Sequence, residues 1–461
     1  MNDESIIAVI QSHLGDKGVL TEDALKQKYT ADASGELADS LPGAVFRPCS
    51  TEEVSFILEK CHQAGQSLSV QGGLTGLAGG AVPGSKELGL SLERMSGIEE
   101  IDSDSMTMTV LAGTPLQTIQ EAAENAGFSF PLDLGSRGTC NIGGNVSTNA
   151  GGNQVIRFGM TRALILGLEA VLADGTVISS MNKMLKNNAG YDLKHLFIGT
   201  EGTLGIVTRI VLRLYPRLES RCTALCALSE LDDVIQLLQL TNSSMAGLLS
   251  SYEVMWANYY DFILDNVKTL HSPFEEKHEF YVLMEIEGSN QEKDSLAFQA
   301  MLESALESEL IKDAAIAQSE KEAGAFWGIR DGVADVLHIL AQSANFDIGV
   351  PISQMGDFLE QAQTRLENAF PNIDIQIFGH LGDSNLHYLA RTSDKKDKDR
   401  IYDIVYELIG EFDGSVTAEH GIGKLKRKYL NHSRSENEIQ LMRQLKSSLD
   451  PKGILNPGRV V

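Results

Sequence analysis

Two histidines, His380 and His387, stand in the stretch Ile375-Gln376-Ile377-Phe378-Gly379-His380-Leu381-Gly382-Asp383-Ser384-Asn385-Leu386-His387-Tyr388-Leu389. Apolar residues alternate up to Phe378, Gly382-Asp383-Ser384 supplies turn chemistry, and apolar residues resume at Leu386. The pattern predicts a strand, a tight connection and a returning strand. Such a hairpin brings both imidazoles to one mouth. Neutral nitrogen ligands suit zinc, manganese or cobalt, and one carboxylate would complete an open three-ligand site. Glu419, in Thr417-Ala418-Glu419-His420-Gly421-Ile422-Gly423, is a candidate for that third place. Spacing alone leaves a second reading open, that of two ordinary histidines with no metal.

A second kind of chemistry is written in glycine. Gln71-Gly72-Gly73-Leu74-Thr75-Gly76-Leu77-Ala78-Gly79-Gly80 follows a short strand expected at 67–70, and its glycines let the backbone turn N–H groups toward an anion and approach a pyrophosphate. The spelling matches neither G-x-G-x-x-G nor the Walker pattern. A second cluster runs from Asp133 through Ser136, Gly138, Thr139, Gly143, Gly144, Ser147, Thr148, Ala150, Gly151 and Gly152. A third, Gly199-Thr200-Glu201-Gly202-Thr203-Leu204-Gly205-Ile206-Val207, leads into a strand. Small residues this dense imply backbone packed against a large planar or phosphorylated ligand, with a flexible surface loop as the alternative for each cluster.

These residues need elements to hold them. Ser50-Thr51-Glu52-Glu53 opens a helix through Ala64 with a capping-box pattern. A hairpin is expected from Leu166 to Ser179 around Asp174-Gly175. Glycine density falls after Leu218, and helical periodicity then alternates with strands such as 280–286, marking a second domain with an antiparallel sheet and covering helices. Glu285 to Glu287 and the run 291–310 read as solvated surface. Arg330, one turn along a helix from Trp327, reads by itself as an exposed ion-pair partner. A helix over 397–411, a basic run Lys424-Leu425-Lys426-Arg427-Lys428 on a solvated face, and a final helix over 436–449 complete the chain.

A chain of 461 residues with 43% hydrophobic content can bury more than one core. Its net charge of -25 argues against nucleic acid and anionic membrane surfaces as partners. The five cysteines include no C-x-x-C pair, which indicates neither a disulfide framework nor an iron-sulfur cluster. The acidic start Met1-Asn2-Asp3-Glu4 is unlike a signal or transit peptide, and the most apolar stretch, Ala163 to Ala173, is interrupted by Glu169. A cytoplasmic protein without a transmembrane segment is expected, with peripheral contact at the inner membrane left open.

The three glycine clusters, the Gly379–His387 hairpin, Ala418-Glu419-His420-Gly421 and Leu449-Asp450-Pro451-Lys452-Gly453-Ile454-Leu455-Asn456-Pro457 together resemble the FAD-linked D-2-hydroxyacid dehydrogenases of the vanillyl-alcohol oxidase type. The resemblance spans nearly the whole chain. It implies an α+β fold: a two-subdomain FAD-binding domain over 1–217 with its core from 42, an antiparallel-sheet substrate domain over 218–416, and a C-terminal helical segment, 417–461, that returns to the first domain. Neither of the first two glycine clusters holds a histidine, so FAD is expected to bind non-covalently. The resemblance puts FAD against Gln71, Gly72, Gly73, Leu74, Thr75, Gly76, Leu77, the small residues of the second cluster, Glu201, Gly205, Ile206, Val207 and Asn456.

The same resemblance implies a divalent metal on His380, His387 and Glu419, with zinc ahead of manganese or cobalt. It makes His420 the general base and Arg330 the partner of a substrate carboxylate, which reverses the default reading of that arginine. The reaction implied is oxidation of a D-2-hydroxy acid to the 2-oxo acid. Hydride passes to flavin N5, and electrons go on to an electron-transfer flavoprotein, a quinone or a cytochrome. A D-2-hydroxyglutarate dehydrogenase proper and the flavin subunit of a glycolate-oxidase-like complex are the alternatives, and a homodimer is left open. The D-2-hydroxyglutarate enzymes carry Thr, Lys and Asn where this chain has Ala334, Asn345 and Leu389. A substrate with a less charged tail, such as D-lactate, is therefore expected.

Overall fold

The computed structural model describes residues 3–340 and 342–461; Met1 and Asn2, the start of the acidic N-terminus, and Ala341 lie outside them. The chain forms two units. One comprises residues up to Gly152, Gly159–Arg217 and Glu419–Val461; the other comprises Asn153–Phe158 and Leu218–Ala418.

The first unit carries two main sheets. In the four-stranded one, Val45–Phe46 and Leu68–Gln71 both pair in parallel with Leu88–Ser91. Helix Thr51–Ala64 makes the crossover between them. Ser50 Oγ accepts from Glu53 N at its start, while the Glu53 carboxylate turns to Cys49 N, so the box closes one residue earlier than the sequence pattern predicts. The five-stranded sheet is antiparallel throughout, in the order Ile98–Asp102, Thr107–Leu111, Ile206–Arg213, Ile165–Val171, Val177–Ser180. Every residue of Ile165–Val171 is buried. Glu169, the one charge in that strand, accepts hydrogen bonds from the hydroxyls of Thr51 (2.7 Å) and Thr208 (3.1 Å), which compensates its burial. Helix Glu436–Leu449 starts from a complete capping box at Ser435 and Glu438. The tail after it runs beside Leu68–Gln71, where Leu68 N donates to Ile454 O and Asn456 N to Leu68 O.

The second unit is built on one seven-stranded sheet in which every pairing is antiparallel. Its order is Asp313–Ile316, Ser220–Leu228, Phe280–Gly288, Leu249–Trp256, Asp374–Gly379, Asn385–Arg391, Ala344–Gly349. Paired residues in antiparallel strands share a face, so the register identifies one surface unambiguously. On it lie Ala227, Leu225 and Thr223; Tyr281, Leu283 and Glu285; Met255, Glu253 and Ser251; Phe378; Leu389, His387 and Asn385; and Asp347. One band of this face is apolar and forms a core with helices Ala257–Asn266 and Glu320–Asp331, through Tyr259, Ile263, Phe326 and Ile329. The adjoining band is polar. Glu285, expected at the surface, is buried there, because its inward register position is shared with Thr223, whose hydroxyl donates to it at 2.7 Å, and it also accepts from Trp327 Nε1 at 3.2 Å.

Candidate active site

In the first unit the glycine clusters meet backbone to backbone. A Cβ on Gly73 would sit 2.2 Å from Thr139 O and 2.8 Å from Cys140 Cα, and one on Gly152 would sit 1.8 Å from Asp133 O. Only glycine allows either approach. Gly72 lies against Gly144, which itself faces open space, as does Gly135. Two buried side-chain oxygens on residues adjoining Gly72 and Gly144, Gln71 Oε1 and Asn145 Oδ1, have no hydrogen-bond donor among the described residues. A ligand rich in hydroxyl and N–H groups fits acceptors left this way, which is the chemistry FAD offers. Leu74, at φ 59°, packs toward Leu20, Tyr29 and Val45, whereas Leu77 is exposed. Ser147 and Thr148 direct their hydroxyls to the carbonyls of Gly143 and Gly144.

Several residues expected at the cofactor hold the chain together here. Ile206 and Val207 are core positions in the five-stranded sheet, and a Cβ on Gly205 would meet the Phe197 ring at 2.8 Å. The Glu201 carboxylate accepts from the N–H groups of Ile422 (2.7 Å) and Gly423 (2.8 Å), and burial pushes its carboxyl pKa up against those two bonds. Asn456 links Val70 N (2.8 Å) to Glu201 O (2.7 Å).

In the second unit the polar band holds a compact set of ionisable groups. His380 follows directly on Asp374–Gly379, a short 3-10 turn spans Leu381–Asp383, and Ser384 takes φ 70° to start the returning strand. The rings of His380 and His387 are thereby 5.4 Å apart and nearly perpendicular. Glu253 Oε1 lies 2.7 Å from His380 Nδ1, and its Oε2 accepts from Arg330 Nε at 2.8 Å. Arg330 Nη1 donates to Asp331 at 3.1 Å, and Nη2 lies 2.9 Å from His380 Nε2. The guanidinium also sits 5.3 Å from the Phe378 ring centroid, and Tyr259 OH donates to the Arg330 carbonyl. Arg330 is only 8% exposed, so the surface ion pair suggested by composition is not what the fold makes of it. Burial pushes the Glu253 carboxyl up, but the positive partners and hydrogen bonds at His380 and Arg330 outweigh that and hold it at about 2.

Asp347 lies opposite His387 in register, and its carboxylate accepts from Thr417 Oγ1 (2.9 Å) while its carbonyl accepts from Ala418 N (3.1 Å). The end of the second unit is thus fastened beside the histidine hairpin. Glu419 and His420 are the next two residues of the chain.

Two family models match this chain: "FAD binding domain" over residues 42–180 and "FAD linked oxidases, C-terminal domain" over 217–460, the latter more than half of the chain. Among curated relatives, a mitochondrial protein of Oryza sativa subsp. indica named probable D-2-hydroxyglutarate dehydrogenase is 37% identical over 458 residues, 99% of this chain and 81% of its own length. The chain belongs to the FAD-linked D-2-hydroxyacid dehydrogenases. The D-2-hydroxyglutarate dehydrogenase of Xanthomonas citri pv. viticola is 36% identical over 426 residues, covering 91% of this dehydrogenase chain and 89% of its own. A solved structure of p-cresol methylhydroxylase with substrate bound superposes with a TM-score of 0.77 at 16% identity, covering 99% of this chain and 96% of that one. The fold is accordingly α+β of the vanillyl-alcohol oxidase type.

For this dehydrogenase, the sequence singles out Arg330, His380 and His387, which helix Glu320–Asp331 and the hairpin strands bring together, while Glu253 and Asp347 are found only in the fold. Both carboxylates carried a signal. Each is a lone acid in an otherwise apolar strand, in Tyr252-Glu253-Val254-Met255 and in Phe346-Asp347-Ile348, at a position whose alternation points inward. Among the described residues no helix is long and apolar enough to cross a membrane.

Proposed function

We propose that this dehydrogenase oxidises a D-2-hydroxy acid to the 2-oxo acid with non-covalent FAD and one divalent metal ion, zinc ahead of manganese or cobalt, held by His380, His387 and Glu419. The observation that carries the reading is the cluster of buried Glu253, Arg330 and His380 with half-buried His387, gathered at the polar band of a sheet whose adjoining band is an apolar core. His380 and His387 supply two imidazoles from one hairpin, and Glu419 is the carboxylate we assign to the third place. Glu419 follows directly on Ala418, whose N–H donates to the Asp347 carbonyl. Two imidazoles and a carboxylate are a donor set that fits a divalent ion with an open position.

When bound, the metal supplies charge that lowers the pKa of the substrate hydroxyl, and the flavin supplies the acceptor for the C2 hydride. His420 takes the hydroxyl proton, a role suited to imidazole near neutral pH. Arg330 pairs with a substrate carboxylate. Its planar fork has five N–H donors, of which Glu253, Asp331 and His380 engage one each, so donors remain for a ligand. Electrons leave for an external acceptor such as an electron-transfer flavoprotein, a quinone or a cytochrome.

The substrate we favour has an apolar or short tail, D-lactate being the type. Leu389, two residues beyond His387 on the same face, is 6% exposed and belongs to the apolar cluster with Phe378 and Tyr259. A distal carboxylate brought there without a cationic partner would cost several kcal/mol, roughly the scale of a specificity switch. D-2-hydroxyglutarate is the second reading, favoured by the names of the relatives at 35–37% identity.

Chelation is expected to abolish turnover while the bound flavin keeps its yellow colour, and Zn²⁺ or Mn²⁺ to restore activity in the native enzyme but not in His380→Ala. Full activity after chelation would overturn the metal. The ratio kcat/KM measured across D-lactate, D-2-hydroxybutyrate, D-malate and D-2-hydroxyglutarate is expected to favour the first two, and a clear lead for D-2-hydroxyglutarate would establish the second reading.

A further inference from the structure

A carboxylate buried to 1% exposure opposite Leu283 is unfavourable unless its neighbours compensate it, and the neighbours that do so for Glu253 are His380 and Arg330. The protonation of the trio follows from counting donors. Arginine has no acceptor, so Arg330 Nη2, 2.9 Å from His380 Nε2, requires that nitrogen to carry the lone pair. Nδ1 then bears the proton and donates it to Glu253 Oε1 at 2.7 Å. Metal-binding histidines commonly give their second N–H to a carboxylate in this way, which fixes the ring and raises its basicity.

We propose that Glu253 is a positioning residue for the metal: one carboxylate oxygen locks His380 in the tautomer that offers Nε2, while the other holds the Arg330 fork beside it. The inference rests on His380 being a metal ligand. With Nε2 the ligating atom, the Nη2 N–H is the donor that the ion displaces, so the carboxylate also keeps Arg330 in place when that contact is lost. An uncharged Gln at 253 cannot serve both neighbours. Turning its oxygen to His380 sets its amide N–H against Arg330 Nε–H, and turning its oxygen to Arg330 presents an N–H donor to Nδ1 and forces the wrong tautomer.

The test measures Zn²⁺ affinity of the chelated full-length protein by competition with a chromophoric chelator, together with the visible spectrum of the Co²⁺ form. Glu253→Gln is expected to bind Zn²⁺ about 10- to 100-fold more weakly than the native protein. Circular dichroism and flavin content should be unchanged, which a merely structural role for Glu253 would not produce. If burying an unpaired guanidinium prevents Glu253→Gln from folding, the uncharged double variant Glu253→Met/Arg330→Met is compared with Arg330→Met alone, and the same loss is expected. Equal affinity with and without Glu253 would overturn its role and leave the metal reading standing. A native protein that binds Zn²⁺ no better than His380→Ala would overturn the metal reading itself, and the role of Glu253 with it.

Discussion

Arg330 stands one helical turn from Trp327, and at an exposed site its ion pairs would contribute roughly 0–1 kcal/mol. Here the side chain is buried against Phe378 and bonded to Glu253, so its charge is fixed in position, as its proposed pairing with a substrate carboxylate requires. In the mechanism we propose, His420 has the role the chemistry needs most, since hydride transfer from C2 requires the hydroxyl proton to leave. His420→Ala is expected to slow flavin reduction by about 10²- to 10⁴-fold with little change in the dissociation constant of the hydroxy acid, as loss of a proton acceptor in the transition state requires. Stopped-flow reduction at varied substrate concentration separates the two constants. A weakened affinity with an unchanged limiting rate would make His420 a binding residue.

At the scale of elements, the histidine hairpin and the glycine loops solve the same problem by different means. The hairpin fixes its two imidazoles through strand register, with His387 flanked by Phe378 and Asp347. The loops have no register, and close backbone contact fixes them instead. Gly73→Ala would drive a Cβ into Thr139 O and Cys140 Cα, which are backbone atoms that cannot rotate away. The substitution is expected to lower stability by about 1–3 kcal/mol and to release flavin, read from the thermal midpoint and from the flavin-to-protein ratio after gel filtration. Gly80→Ala, in the same loop but outside the residues expected at FAD, is the control, because the nearest atom to its Cβ is Glu201 Oε2 at 3.5 Å. Equal losses from both variants would mean that loop flexibility, not close approach, is what the glycines supply.

At the scale of the molecule, the first unit is assembled from three stretches of chain, and its last stretch is secured by Arg459. This side chain is 1% exposed and makes a two-pronged ion pair with Glu87 at 2.6 and 2.7 Å, while the carbonyls of Gly80, Val82 and Pro457 accept its remaining N–H groups. Removing one partner of a buried pair leaves the other charge uncompensated. Arg459→Ala is expected to cost about 3–5 kcal/mol in urea denaturation. Paired with Glu87→Ala, it should cost less than the sum of the two single changes.

The sequence by itself determined what local pattern and spelling can determine. Period-2 alternation marked the histidine hairpin, a capping-box pattern marked the helix beginning at Thr51, and the glycine clusters with the Glu419-His420 pair identified the family. Tertiary structure decided which charges are buried. Glu285 and Arg330 look like surface residues in sequence because nothing local says which strand or helix will cover them. Glu253 acquires meaning only when antiparallel pairing, Met255 against Phe378 and Phe378 against His387, brings a strand from 249–256 beside one that begins more than a hundred residues later. Register across such a separation is set by the packing of the whole sheet, since shifting any one strand by a residue would turn its inward groups to the opposite face.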